Sequence, residues 1–283
     1  MDKQGSKRHI VAYLGPEGTF CELVARKYFT GGTLVPYLSV ADVFIAVEDE
    51  DAKYGVVPVE NSTDGSVPVT LDCLLESKVM VCGEVELKII HNLISKPNTD
   101  LSKIEVILSH PQALAQCRQF LRNMFPKAEL REVSSTARAV EMLRNVDNAA
   151  AIGSEIAAER SNMIVIRREI EDEINNVTRF FVLGKSNAEP TGRDKTSLVF
   201  STKHIPGSLY RVLEVFAVRG INLTRIESRP EKKSPWNYVF YVDFEGHRAD
   251  TKVKETLGIM GERCTYVKVL GSYPKALQGS RYS

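Results

Sequence analysis

No run of 18 apolar residues occurs in this 283-residue chain, so no membrane-crossing helix is expected. Five cysteines (Cys21, Cys73, Cys82, Cys117 and Cys264) are odd in number, scattered and free of any CxxC spacing. That usage fits reduced thiols in the cytoplasm and argues against a disulfide framework. Histidine is scarce: His9, His91, His110, His204 and His247 include no pair at metal-ligand spacing, so neither a zinc site nor a metal is expected. Charge of one sign is not in excess. With 37 basic against 36 acidic residues the net charge is +1, which supplies no field for nucleic acid. Gly15 and Gly18 do not complete GxGxxG, and no GxxxxGK[ST] exists, so nucleotide binding has no support. The opening MDKQGSKRHI is charged and lacks an apolar stretch, so a secretory leader is not expected.

What is present is ordinary globular composition, 43% hydrophobic and 26% charged, at a length that suits two domains. Short apolar strands alternate with amphipathic helices from the start. Strands are predicted near 9–15, 54–59, 104–109, 129–133 and 149–153, and helices near 20–29, 67–77, 111–124, 136–145 and 154–160. Such alternation implies parallel βα units in an α/β fold. A longer strand-rich stretch at 80–95 interrupts the series, with 163–170 as its return. Two crossing segments would join two α/β lobes and leave a hinged cleft, the plan of a periplasmic binding protein. The polar KSNAEPTGRDK at 185–195 has no apolar period and reads as a linker between a first domain, 1–184, and a second, 196–283. Beyond it the order strand, helix, strand, strand, helix, strand is the ferredoxin-like βαββαβ signature.

Several helices of the first part begin just after a strand with residues that cap helices and bind anions. Thr19 and Glu22 have capping-box spacing. Pro111 suits a first helical position, with Ser109 or His110 as its cap. Ser134 or Ser135 heads another helix and Ser154 a fourth. Any one of these is an ordinary cap. Several converging at strand carboxyl ends would favour an anionic ligand in a shared crevice. In VPVENSTDGSVP, Glu60 and Asn61 end an apolar strand and form either a turn or a site, since a buried Glu or Asn needs partners. No nucleophile stands out. Cys117 sits within a helix on an apolar face, and Cys21 in a first turn has no neighbouring base.

Six stretches in order (GPEGTF at 15–20, PVENSTDGSV at 58–67, SHPQALAQC at 109–117, STARAV at 135–140, AAAIGS at 149–154 and NNVTRF at 175–180) resemble the prephenate dehydratase family. The second part is similar to the ACT domain of that family, through GSLYRVLEVFAVRGINLTRIESRP at 207–230. The resemblance implies a cofactor-independent lyase of phenylalanine biosynthesis that removes water and carbon dioxide from prephenate. It implies that the Thr of Thr-Arg-Phe, here Thr178, donates a hydrogen bond to the departing hydroxyl. Glu60 and Asn61 would orient the substrate or Thr178, with Ser109 and Gln116 as contacts. Thr19, Ser62, Ser135 and Thr136 would complete the cleft, and Phe180 would pack beneath it. Arg179 would bind a carboxylate or form a structural ion pair, and strand alternation favours the second. Phenylalanine would act as allosteric effector between ACT domains of a homodimer or homotetramer, through Gly207, Ser208 and Leu209 with Glu227, Ser228, Arg229 and Pro230. Cys21 stands where the family commonly has Ser, and Ser208 where it has Ala. An anion-binding module without turnover, and a sister enzyme acting on arogenate, are the alternatives.

Overall fold

The structure, a computed structural model, describes residues 9–173, 175–231 and 237–276. The first lobe runs β1 (Ile10–Leu14), α1 (Phe20–Tyr28), β2 (Thr33–Tyr37), α2 (Val40–Glu48), β3 (Tyr54–Asn61), β4 (Gly65–Ser66), α3 (Pro68–Glu76) and β5 (Met80–Lys88). The second runs β6 (Asn92–Ser95), β7 (Val106–Ser109), α4 (Pro111–Gln116), α5 (Arg118–Met124), β8 (Glu129–Glu132), α6 (Thr136–Met142), β9 (Ala149–Gly153), α7 (Glu155–Ser161) and β10 (Ile164–Arg167). β11 (Val177–Gly184) then returns to the first lobe and inserts antiparallel between β3 and β5. The two sheets have the orders β2-β1-β3-β11-β5 and β10-β6-β9-β7-β8. Residues 89–91 form one crossing between the lobes, and residues 168–173 with 175–176 belong to the other. The expected two-lobed α/β architecture is the observed one.

Three details depart from the pattern read in the sequence. β2 and α2 occupy 30–53, where apolar periodicity alone assigns no element. β2 carries Pro36 and lies at the sheet edge, where a missing N–H breaks no ladder. α2 starts with a full capping box between Ser39 and Asp42, a signal that was legible. The single helix expected at 111–124 is broken at Cys117. The Asp172 carboxylate, from the second crossing, accepts the Gln119 and Phe120 N–H groups and caps a new helix there.

The polar stretch at 185–195 holds no helix or strand up to 193, and β12 (Asp194–Ser201) takes in its last two residues. α8 (Ser208–Ala217), β13 (Leu223–Pro230), β14 (Tyr238–Glu245), α9 (Thr251–Arg263) and β15 (Tyr266–Pro274) follow. Sheet order β13-β14-β12-β15 is that of the ferredoxin-like fold. One face of this sheet packs on α8 and α9 through Leu198, Phe200, Phe216 and Phe244. The other face, with Val199, Tyr241, Leu270 and Tyr273, shares one apolar core with Val57, Val59, Leu71 and Phe181 of the first lobe. The two parts of the chain are therefore in continuous contact.

Close backbone approach makes this docking possible. β15 crosses β5 at Gly271, where any Cβ would overlap the Val81 carbonyl. Two backbones cannot give way as a side-chain tip can, so Gly271→Ala should cost about 3 kcal/mol or more. A thermal melt of this variant should show a lowered Tm for the first lobe as well as for the ferredoxin-like unit.

Candidate active site

Along β3 and β11 successive side chains face opposite sides. Asn61 is the cross-strand partner of Thr178, and Glu60 that of Arg179. Thr178 and Asn61 face a cleft of about 1010 Å³ between the lobes. Phe180 and Pro58 line the same wall, and Phe180 anchors it in the core beneath α1. The opposite wall comes from α4, the 134–138 turn and α6, with Gln116, Ser135 and Thr136. Thr19 lines the cleft while capping α1, and Ser135 does so while capping α6. His110, not Ser109, caps α4.

Hydrogen-bond polarity across the site is fixed from the backbone outward. Asn61 Oδ1 accepts the N–H groups of Thr63 (2.9 Å) and Asp64 (3.1 Å), which can only donate. Asn61 Nδ2 must then point at Thr178 Oγ1 (2.8 Å) and Asn176 Oδ1 (2.7 Å). Asn176 Nδ2 in turn donates to Gln116 Oε1 (2.9 Å), and Gln116 Nε2 to Asp64 Oδ2 (3.0 Å). Gln116 Oε1 also meets His91 Nε2 at 2.9 Å, so the proton sits on that nitrogen. Since Thr178 Oγ1 already accepts from Asn61, its own proton is left to donate.

Charge in the cleft comes from Arg138, Arg144 and Arg160 on one wall, with Glu17 and Glu141 nearby. Arg160, from α7, reaches across the lobes to Glu17 (3.2 Å) and to the wholly buried Glu22. Burial opposes ionisation of Glu22, but the Gly18 N–H and the Arg160 and Arg26 guanidinium groups outweigh it and hold its carboxyl below the usual range. Asp64 bridges the lobes as well, binding Gln112 and Gln116. The Cys21 thiol, pushed up to about 12 by burial, is no nucleophile.

Four residues named from the sequence lie outside the cleft. Glu60 and Arg179 are turned to the far face of their strands, where they pair at 3.5 Å. Ser109 is fully buried and donates to the Ile152 carbonyl, tying β7 to β9. Ser62 bonds the 175 carbonyl and the Val177 N–H, stitching the hairpin to β11. The second group divides too. Gly207, Ser208 and Leu209 line a hollow of about 530 Å³ with Tyr238 and Phe240. Glu227 and Arg229 instead face the first lobe, at Ser66 and Asp72, while Ser228 and Pro230 are exposed on the edge strand β13.

His91, Asn176, Asp64 and the three arginines were not named from the sequence. Asn176 carried a signal, since it lies two residues before Thr178 and so on the same side of an extended chain. The others come from separate elements that only the fold brings together.

Fold and site define a two-lobed α/β cleft protein with a polarised amide network at its centre and a ferredoxin-like unit docked behind. The model of the prephenate dehydratase family matches residues 11–188, and that of the ACT domain residues 196–259. A bifunctional chorismate mutase/prephenate dehydratase of Aquifex aeolicus is 46% identical over 96% of this chain and 75% of its own length. The prephenate dehydratase of Methanocaldococcus jannaschii is 42% identical over 93% of this chain and 97% of its own. Among solved structures, prephenate dehydratase from Arthrobacter aurescens in complex with L-Phe superposes with a TM-score of 0.86. It is 32% identical and covers 97% of this chain and 94% of its own. GqqA, described as a novel type of quorum quenching acylase, superposes at 0.87 with 31% identity over 95% and 98%. The chain belongs to the prephenate dehydratase family: it is an enzyme with an ACT domain following its catalytic part.

Burial holds the His91 imidazole below its ordinary 6.5, against the opposing pull of Gln116 and Glu171. The folded chain thus resists a proton that the unfolded chain accepts, so this residue's contribution is intact above pH 6.5 and lost as pH falls. Between pH 7.5 and 5.5, denaturant titrations should show stability falling by at most about 1.4 kcal/mol per pH unit from this residue. A His91→Gln variant should show a shallower fall.

Proposed function

We propose that the cleft dehydrates and decarboxylates prephenate to phenylpyruvate, with Thr178 as catalytic donor. The observation that carries this is the polarity at Thr178, whose hydroxyl accepts from Asn61, keeps its own proton for donation and lines the cleft. As the ring carboxylate departs as carbon dioxide, its bonding pair enters the ring and expels the hydroxyl. That hydroxyl leaves as water with one proton, and the ring becomes aromatic. Aromatisation supplies the driving force, so the site needs no strong nucleophile. It needs a donor where charge develops and cations for the carboxylates. Arg138, Arg144 and Arg160 serve the second need, supported by the helix starts at Thr19, His110 and Ser135.

Acylase chemistry, suggested by the likeness to GqqA, fits less well. Thr178 has an amide donor beside it and, among the described residues, no base hydrogen-bonded to it that would make it a nucleophile. None of the five cysteines is in a disulfide, which supports a cytoplasmic setting.

Phenylalanine as feedback effector is the second part of the proposal. The hollow at Gly207–Leu209 supports it, as does the L-Phe bound by the Arthrobacter relative. Glu227–Pro230 lie outside that hollow in one chain, so the effector would sit between two copies of a homo-oligomer. Exposed Ile205, Tyr210, Ile226 and Tyr238 are apolar groups such a partner would cover.

Purified protein should form phenylpyruvate from prephenate faster than phenylalanine from arogenate; no turnover of either removes the enzymatic reading. Thr178→Ala should lower kcat at least about 100-fold with the fold intact. Added phenylalanine should slow the unsubstituted enzyme. Gly207→Val, strained at a φ of +76°, should blunt that response while turnover without effector persists.

A further inference from the structure

Thr178 and Asn61 show one face of β11 and β3 to the cleft; their neighbours Arg179 and Glu60 show the other to the ACT sheet. The Arg179 guanidinium is 8% exposed and has every arm engaged. Its Nε donates to Glu84 on β5 (2.8 Å), Nη1 to Asp243 on β14 (2.5 Å) and Nη2 to the Tyr273 hydroxyl on β15 (3.0 Å). Ser197 closes the ring by bonding both Asp243 and Tyr273. Lys195 balances the charge at Glu84 (2.9 Å). Two of the groups that hold Arg179 therefore belong to the ACT domain and are remote from the cleft.

We propose that Arg179 is a positioning residue through which the docked ACT sheet sets the Thr178–Asn61 geometry. The inference rests on the dehydratase reading above. A planar fork fixed at three points leaves its strand little freedom to twist or slide. The residue just before it on β11 is Thr178, the proposed catalytic donor. The register between β3 and β11 shifts immediately beyond this pair, between Arg179 and Phe180, so the backbone is locally irregular where the fork grips it. A small displacement of Asp243 or Tyr273 becomes a displacement of the Thr178 hydroxyl. Misplacement of about 1 Å at a reacting group is enough to cost on the order of 100-fold in rate.

The test uses the full chain, with the perturbing substitutions in the ACT domain and a control substitution in the first lobe. Asp243→Asn should lower kcat about tenfold with KM little changed. Tyr273→Phe, which keeps the ring and removes one bond, should lower it about threefold and serves if the first variant does not fold. Asp72→Asn, which weakens the contact with Arg229 at the same interface but away from Arg179, should leave kcat as it was. In a Thr178→Ala background the Asp243 or Tyr273 substitution should lose most of its effect, because the group it positions is gone. Folded variants with unaltered kcat, or losses that simply multiply with Thr178→Ala, overturn the inference. A lack of turnover in the unsubstituted chain would instead remove the dehydratase reading, and this inference with it.

Discussion

Two backbone N–H groups, from Thr63 and Asp64, meet the Asn61 side-chain carbonyl, and the rest of the cleft takes its sense from them. Neither can do anything but donate, so the Asn61 amide has one orientation. Each following amide is then forced in turn, through Asn176 and Gln116 to the tautomer of His91. The last consequence is chemical. The Thr178 hydroxyl accepts the Asn61 amide, and its own proton remains for another acceptor. Preorganisation of this kind aims a dipole before any ligand arrives, which is what the role proposed for Thr178 requires.

The same strands carry the opposite problem on their other face. Arg179, Lys195, Glu84 and Asp243 are all nearly shielded from water, where unpaired charge costs several kcal/mol per ion. Two cations face two anions, so the cluster is neutral. Burial works against ionisation of Asp243, yet Arg179 and Arg225 outweigh it and hold the carboxyl below the usual range. Burial, reinforced by Asp243, pushes the Tyr273 phenol well up, so it stays protonated within the ring of bonds. Removing one member would strand its partners at about 3–5 kcal/mol, more than most single apolar contacts supply. The apolar core shared by the two parts provides the adhesion, and this cluster provides its registry.

Strand alternation makes some of this legible in the amino-acid order. Thr178 and Phe180 toward one side and Arg179 toward the other follow from period two alone, and the same rule would have supplied Asn176. Applied to β3, it would also have separated Asn61 from Glu60, which the family resemblance groups together. Signals that failed did so for tertiary reasons. Nothing local breaks the helix at Cys117; a carboxylate from the second crossing, Asp172, does so by capping a new start there. Nothing local marks Arg160 as a cleft residue, because its partners Glu17 and Glu22 lie in the other lobe.

The amino-acid order determined the lobed βα plan, the second βαββαβ unit and the residues that cap helices at the cleft, because these depend on local periodicity and short-range hydrogen bonds. It also carried the family's ordered motifs, and with them Thr178. Tertiary structure decided which face each motif residue shows, which cations reach the cleft, and that Glu60 and Arg179 serve the domain interface. These outcomes depend on pairing register and on groups far apart in the chain, and no spacing within one segment encodes them.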